Sequence, residues 1–511
     1  MNYGQFLNMV PEAFLVLALI IVFFADFCLT KSGRKVGVLG KLTAALLLCQ
    51  TIMLTTVAPA EAFGGMYVAG QAAQVMKLIL TFGTFIVVVM AEPWLENEAR
   101  RYAGEFHLLV LSTLLGMYIM MSSGSFPIFF LGLETASVPM ACLVAFDKFK
   151  KKSAEAAAKY ILVATFSSGV MLYGISFIYA ATGTLYFDDA AQVLNGSYLA
   201  SPLSIMGLVF FFSGLAFKLS LVPFHFWTAD TYEGAPTPIT GYLSVCSKGA
   251  AAFAAFVILV KAFGPMIEYW EYMLYIVIVL SITIANLFAI RQSELKRFMA
   301  FSSISQAGYI MLAVIGGSQT GMASLMYYIL VYVVANMAVF TVITTVEQKC
   351  GTTIMSSYDG LYQTNPKLAF LMTLALFSLA GIPPFAGMFS KFFVFMAAAE
   401  QGSFWAYFVV FVALVNTVVS LYYYLLIVKA MYIKPSDSPL PTFKTDINTR
   451  VALAICTAGI ALFGICSCIY DYLFAAVKTI KRNQYSRTKT WTLTKKSSPA
   501  RWASPSEWIA K

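Results

Sequence analysis

The sequence predicts an all-α polytopic membrane protein of about fourteen transmembrane helices. Three observations carry that expectation. Of the 511 residues, 60% are hydrophobic and 11% charged, with a mean hydropathy of +0.78; a soluble domain carries about 25% charged residues. Fourteen apolar runs are long enough to cross about 30 Å of hydrocarbon. The charges between those runs alternate by side, as the positive-inside rule requires of consecutive spans.

In chain order the runs lie near residues 12–29, 37–58, 75–91, 106–123, 125–146, 155–181, 203–226, 238–262, 271–290, 299–316, 322–346, 368–398, 404–432 and 450–475. The first follows an uncharged MNYGQFLNMVPE, without the basic region of a signal peptide, and reads as a retained span. Loops after odd-numbered spans hold Lys31, Arg34, Lys35; Arg100, Arg101; Lys148, Lys150, Lys151, Lys152; Arg291, Lys296, Arg297; Lys349, Lys367; and Lys429, Lys434, Lys444, Arg450. The seventh loop, TADTYEGAP, has none, and loops after even-numbered spans hold little beyond Lys261. Odd loops therefore face the cytoplasm or its equivalent, and both termini face the opposite side. The net charge of +10 reports topology and is no sign of nucleic-acid binding. Residues 1–477 form one membrane domain. The basic stretch 478–511 reads as a disordered tail, or as a contact with lipid headgroups or a partner.

Eight cysteines fall in or beside the apolar runs without metal, iron–sulfur or disulfide spacing. With only His107 and His225 present, a histidine-rich metal or haem site is not expected. No phosphate loop, catalytic Ser/His/Asp set or cofactor motif is present.

The chemistry sits in four ionisable residues well inside spans: Glu134, Lys218, Lys248 and Lys391. Each costs on the order of 2.5–3.5 kcal/mol at a helix centre. A chain that keeps four must set them against each other, water or broken backbone. Pro223 follows Lys218 by five residues and forces its helix to bend or stop. Span twelve, SLAGIPPFAGMFSKFF, is likewise broken ahead of Lys391. Two interrupted spans, five apart, suggest two inverted five-helix repeats, spans 4–8 and 9–13. Desolvation weakens a lysine's hold on its proton and a nearby carboxylate strengthens it, so Glu134 with Lys218 makes a natural switch. Lys248 is the next station and Lys391 the last. Small neighbours of Lys248 (Ser244, Ser247, Gly249, Ala250) leave room for water. His225 could relay protons or make a structural hydrogen bond. Asp26, Lys77, Glu12 and His107 read as interfacial, Asp230 and Glu233 as solvated or structural, and Tyr422, Tyr423 and Tyr424 as packing.

The stretch GLAFKLSLVPFHFWTADTYEGAPTPITGYLSVCSKGAAAFAAF resembles the signature of the antiporter-like membrane subunits of respiratory complex I, within them the subunit N (NADH dehydrogenase subunit 2) group. LGLETASVPMACLVAF, RQSELKRFMAFSSISQAGY and LAGIPPFAGMFSKF agree, and the similarity runs to about residue 475. It implies an antiporter-like core near 106–432 in a proton-translocating subunit of NADH:quinone oxidoreductase, in a bacterial inner membrane with periplasmic termini. Glu134 and Lys218 match the family's switching pair, Lys248 its central lysine and Lys391 that of the exit half-channel. Quinone, NADH, FMN and iron–sulfur clusters would be handled by other subunits, with no cofactor in this chain. Partners would be sister antiporter-like subunits and lipid. One departure is Gln306, where many relatives carry a histidine: glutamine bonds but does not titrate. The alternatives are a subunit of a multisubunit Na⁺/H⁺ antiporter, or a non-transporting scaffold.

Overall fold

A computed structural model describes residues 3–29, 35–196, 201–435, 439–466 and 468–477. Lys31, Arg34 and the basic tail from 478 lie outside the described residues. Among these, twelve helices are long and apolar enough to cross a membrane. Eleven of them match expected spans closely in position. The twelfth, Pro202–Leu219, covers only the first part of the expected 203–226.

The remaining two expected spans take other forms. The run at 299–316 is the helix Leu295–Leu312, buried at every position but Arg297. Its serines and Gln306 lower its hydropathy, and its burial inside protein makes that tolerable. The run at 368–398 is two helices, Pro366–Ala380 and Ala386–Ala399. A short antiparallel hairpin, Ala60–Ala62 with Tyr67–Ala69, joins the second and third spans.

The apolar helix Gln319–Cys350 is buried all round and forms the centre, as a helix hydrophobic on every face must. Thr237–Lys261 is nearly as enclosed, whereas Val10–Cys28 and Phe404–Tyr432 lie at the edge.

Three irregularities position the site. In a continuous helix the Pro223 ring would strike the carbonyl of Leu219, four residues back. The helix accordingly ends at Leu219, with Ser220 in the left-handed region at φ 61°. The chain resumes as the helix Phe226–Gly234, so the segment expected as a polar loop is the second half of a broken helix. The second break runs through Gly381, also left-handed at φ 88°, to Phe385. The third was not expected: Leu243–Ser247 is π-helical and feeds directly into Lys248. Such bulges inside helices occur frequently at functional sites.

Candidate functional site

Both broken helices offer a lysine the C-terminal end of a half-helix. Lys218 occupies the last turn of Pro202–Leu219. Lys391 Nζ donates to the carbonyl of Ala380, the final residue of Pro366–Ala380, at 2.9 Å. Unpaired carbonyls at a helix C-terminus carry partial negative charge, worth roughly 0.3–1 kcal/mol to a cation, up to ~2 when partly buried. That offsets only part of the cost of a lysine in the membrane. Hydroxyls and ring faces meet the rest.

Lys218 is buried, and its Nζ donates to Ser137 Oγ at 2.8 Å and to Tyr160 Oη at 3.4 Å. Ser137 passes its own proton to the Leu133 carbonyl at 2.6 Å. Glu134 stands one turn before Ser137 on the same helix, Phe126–Val144. Its Oε1 accepts instead from Ser168 on Lys151–Thr182. The carboxylate and the serine that holds the ammonium are thus on adjacent turns of one helix, and carboxylate and ammonium are each held by a serine rather than by the other. The second half of the broken helix folds back onto them: the Trp227 ring packs against Tyr160 and Phe217, and its Nε1 donates to the Phe217 carbonyl.

Lys248 is buried and donates to Ser303 Oγ at 2.7 Å, with its ammonium 5.4 Å from the centre of the Tyr232 ring. Tyr232 Oη lies 3.2 Å from the same Ser303. His225 is buried with its Nδ1 unpartnered among the described residues.

From Ser303 a polar row continues along Leu295–Leu312. Ser302 Oγ is 2.5 Å from Tyr424 Oη, and Gln306 Nε2 donates to that oxygen at 3.3 Å. Tyr328 donates to Gln306 Oε1. Gln306, Tyr328 and Tyr332 then share one small cavity with Ser378, Ser390 and Lys391. Lys391 is buried, its ammonium 5.0 Å from the Tyr309 ring centre, so it does not snorkel to an interface. Gly381 makes room for it: a Cβ there would lie 3.1 Å from Lys391 Cδ.

A charged cluster ties the broken segment in place. Arg297 Nη1 donates to Asp230 Oδ1 and Glu233 Oε2, each at 2.8 Å, while Lys159 reaches Asp230 and Lys152 reaches Glu233. Burial alone would raise both carboxyls. The basic partners outweigh it and hold them below the usual carboxylate range.

The chain was compared with known proteins. The family model for the NADH:quinone oxidoreductase/Mrp antiporter transmembrane region matches residues 123–418, more than half of the chain. The chain belongs to this family. The NADH-quinone oxidoreductase subunit N of Phocaeicola vulgatus is 58% identical over 477 residues, 93% of this chain and 99% of that protein. A chain of respiratory complex I from Thermus thermophilus with bound Aureothin is 30% identical, with a TM-score of 0.74, covering 89% of this chain and 97% of that one. A chain of the Mrp complex from Dietzia sp. shares the fold at a TM-score of 0.80 and 20% identity, covering 93% of this chain and 97% of that one.

The matched region contains Glu134, Lys218, His225, Lys248 and Lys391. Among the described residues no group of three or more His, Cys, Asp or Glu is placed to hold a metal ion. Several contributors escaped sequence reasoning: Ser137, Tyr160, Ser168, Tyr232 and Ser303. The one available signal was SSISQAGY, too polar for a span facing lipid. Tyr424, read as packing, bonds both Ser302 and Gln306. Lys77, Glu12 and His107, read as interfacial, are all buried, the first two as an ion pair.

Proposed function

We propose that this chain is the subunit N-type membrane-arm component of an NADH:quinone oxidoreductase and translocates protons through Glu134, Lys218, Lys248 and Lys391, with His225 as an accessory relay. The observation that carries this is the series of three buried lysines, none in an ion pair with a carboxylate among the described residues, strung along hydroxyl and amide groups. A paired buried charge is static. A lysine resting on serine or a carbonyl can be charged or neutral at modest cost.

The Glu134–Lys218 switch works by approach. A carboxylate moved toward a lysine favours its proton; withdrawal favours release. Release from Lys218 passes to Lys248, and the Ser302–Tyr424–Gln306–Tyr328 row leads on to the Lys391 cavity. Gln306 does not titrate, so protons cross that point through hydroxyls or water. Moving one proton against the field needs about 2.3 kcal/mol per 100 mV, so the enclosure of the route matters as much as the groups. This subunit holds no redox centre; electron transfer and quinone reduction belong to others. The two breaks mark two inverted five-helix repeats inside a core near 106–432. The termini lie on the periplasmic side of the inner membrane, and sister antiporter-like subunits and lipid cover its edges.

The Na⁺/H⁺ antiporter reading has the weaker support: the family model spans both kinds of protein, but the relatives of 30% identity or more named above are complex I chains and the Mrp chain is 20% identical. The test is alanine at Glu134 and at Lys218 in the assembled complex. Pumping should fall while quinone reduction persists; unchanged pumping at normal reductase activity would sink the proposal and leave a scaffold role.

A further inference from the structure

A second glutamate–lysine pair lies in the first third of the chain, outside the region the family model matches. Lys77 Nζ is 2.5 Å from Glu12 Oε1, and both side chains are buried. Tyr67 Oη donates to Glu12 Oε2 at 2.8 Å and accepts from Lys77 at 3.2 Å. Tyr118 sets its ring 5.2 Å from the ammonium and its hydroxyl on Thr81. Gln50 donates to that hydroxyl and to the carbonyl of Pro11, beside Glu12.

The bonds return to where they began. Each of the first four long helices contributes, and the circuit closes on itself without leading to another charged group. Breaking one partner of such a pair strands a buried charge, whereas satisfied pairs specify a unique packing.

What this packing fixes is visible on the next face of the same helix. Gln71–Glu98 carries Lys77, and it also backs the π-helical turn ahead of Lys248. A Cβ on Gly83 would lie 2.8 Å from Cys246 Sγ; one on Gly249 would lie 3.4 Å from Leu80 and 3.5 Å from Met76; one on Gly241 would lie 3.1 Å from Met90. The contact spans the turn from before Leu243 to just after Lys248, and is tightest where Gly83 meets Cys246.

We propose that Glu12 and Lys77 are positioning residues for Lys248: the buried pair fixes the helix Gln71–Glu98 against the π-helical turn and so sets where the Lys248 ammonium stands. This rests on the relay role given above to Lys248. The pair itself carries no protons.

The test uses the assembled complex and reads amide hydrogen exchange over residues 243–249 together with protons moved per quinone reduced. Glu12→Gln should speed exchange there about tenfold, the size of one lost buried hydrogen bond, leave the distant helix Phe404–Tyr432 unchanged, and lower pumping. The exchanged pair Glu12→Lys with Lys77→Glu should recover both. Unchanged exchange at 243–249 overturns the inference, as does acceleration spread evenly through the chain. Lowered pumping with unchanged exchange overturns it too, since the pair would then carry protons itself. If Glu12→Gln does not assemble, Tyr67→Phe removes only the bridging hydroxyl and the same exchange reading decides. A Lys248→Gln complex that pumps normally sinks the relay role of Lys248, while the exchange result still stands or falls separately.

Discussion

Replacing Ser137 by alanine tests the switch at its resting contact. The substitution removes the hydroxyl that holds Lys218 Nζ at 2.8 Å and leaves Tyr160, at 3.4 Å, as its remaining side-chain acceptor. A hydrogen bond to a charged group contributes about 1.5–3 kcal/mol. The longer contact to Tyr160 survives, so the lower end applies: about 1.5 kcal/mol, or ~10-fold, toward the arrangement in which Lys218 meets Glu134 instead. Ser168→Ala loosens the other partner by removing the donor on Glu134 Oε1. It acts in the same direction, and the two substitutions should be non-additive because they share one equilibrium. The assay is the complex in sealed liposomes, reading quinone reduction and internal acidification side by side. Reduction without a membrane potential should stay near wild type. Protons moved per quinone should fall by this subunit's share, because an over-stabilised pair holds the proton it must release. Wild-type coupling in both single variants would refute the idea that these serines hold the switch open.

Gln306→Leu should interrupt the row between Lys248 and Lys391. It leaves the Tyr328 hydroxyl without its acceptor at about 1–3 kcal/mol, while Tyr424 keeps Ser302, and pumping should drop with quinone reduction retained. Gly387→Ala should impair assembly, read as complex recovered from membranes, since its Cβ would run into the Ser378 carbonyl across the second break; overpacking of this kind typically costs about 1–3 kcal/mol. Asp230 and Glu233 supply a pH test. Their folded-state carboxyls are held low, so the stability they contribute is present above the ordinary carboxylate range of about 4 and is lost as pH falls through the depressed values. Arg297→Gln removes a partner from both, so the thermal midpoint of the purified complex should be lower near neutral pH and its acid-side fall shallower than in wild type.

The spans and buried lysines were legible because lipid leaves few solutions: a run of about twenty apolar residues has to be a helix, and a lysine inside one has to be accommodated. Pro223 located the first break to within a helical turn, because its ring acts on the residue four back and so ends the helix at Leu219 rather than at itself. The two broken helices are not copies at residue level. Lys218 precedes its proline and Lys391 follows its own, yet both reach a helix C-terminus. That equivalence lies in backbone electrostatics, which no residue spacing encodes. The π-helical turn before Lys248 left no trace in LSVCS; what the structure adds is its contact with Gly83 on Gln71–Glu98. Lys77 misled for a related reason. Its place near a span end suggested snorkelling, and only the meeting of the first four helices brings Glu12 to it.

The proposed switch and the proposed fastening, both glutamate–lysine sets, differ in how their charges are held. Glu12 and Lys77 satisfy each other at 2.5 Å, with Tyr67 bridging both. Moving a proton there would convert a paired acid and base into two buried neutral groups and forfeit the charge assistance of the bonds around them. Glu134 and Lys218 rest instead on separate serines. Each has an acceptor or donor to return to after meeting: Ser137 and Tyr160 for Lys218, Ser168 for Glu134. Two states of similar free energy are what a switch requires, since an element is biased only by as much as its states differ in interaction. The open pair has that property and the closed one lacks it. Burial alone therefore does not identify a proton carrier; the test is whether a charged group has a second place to bond within reach of its first.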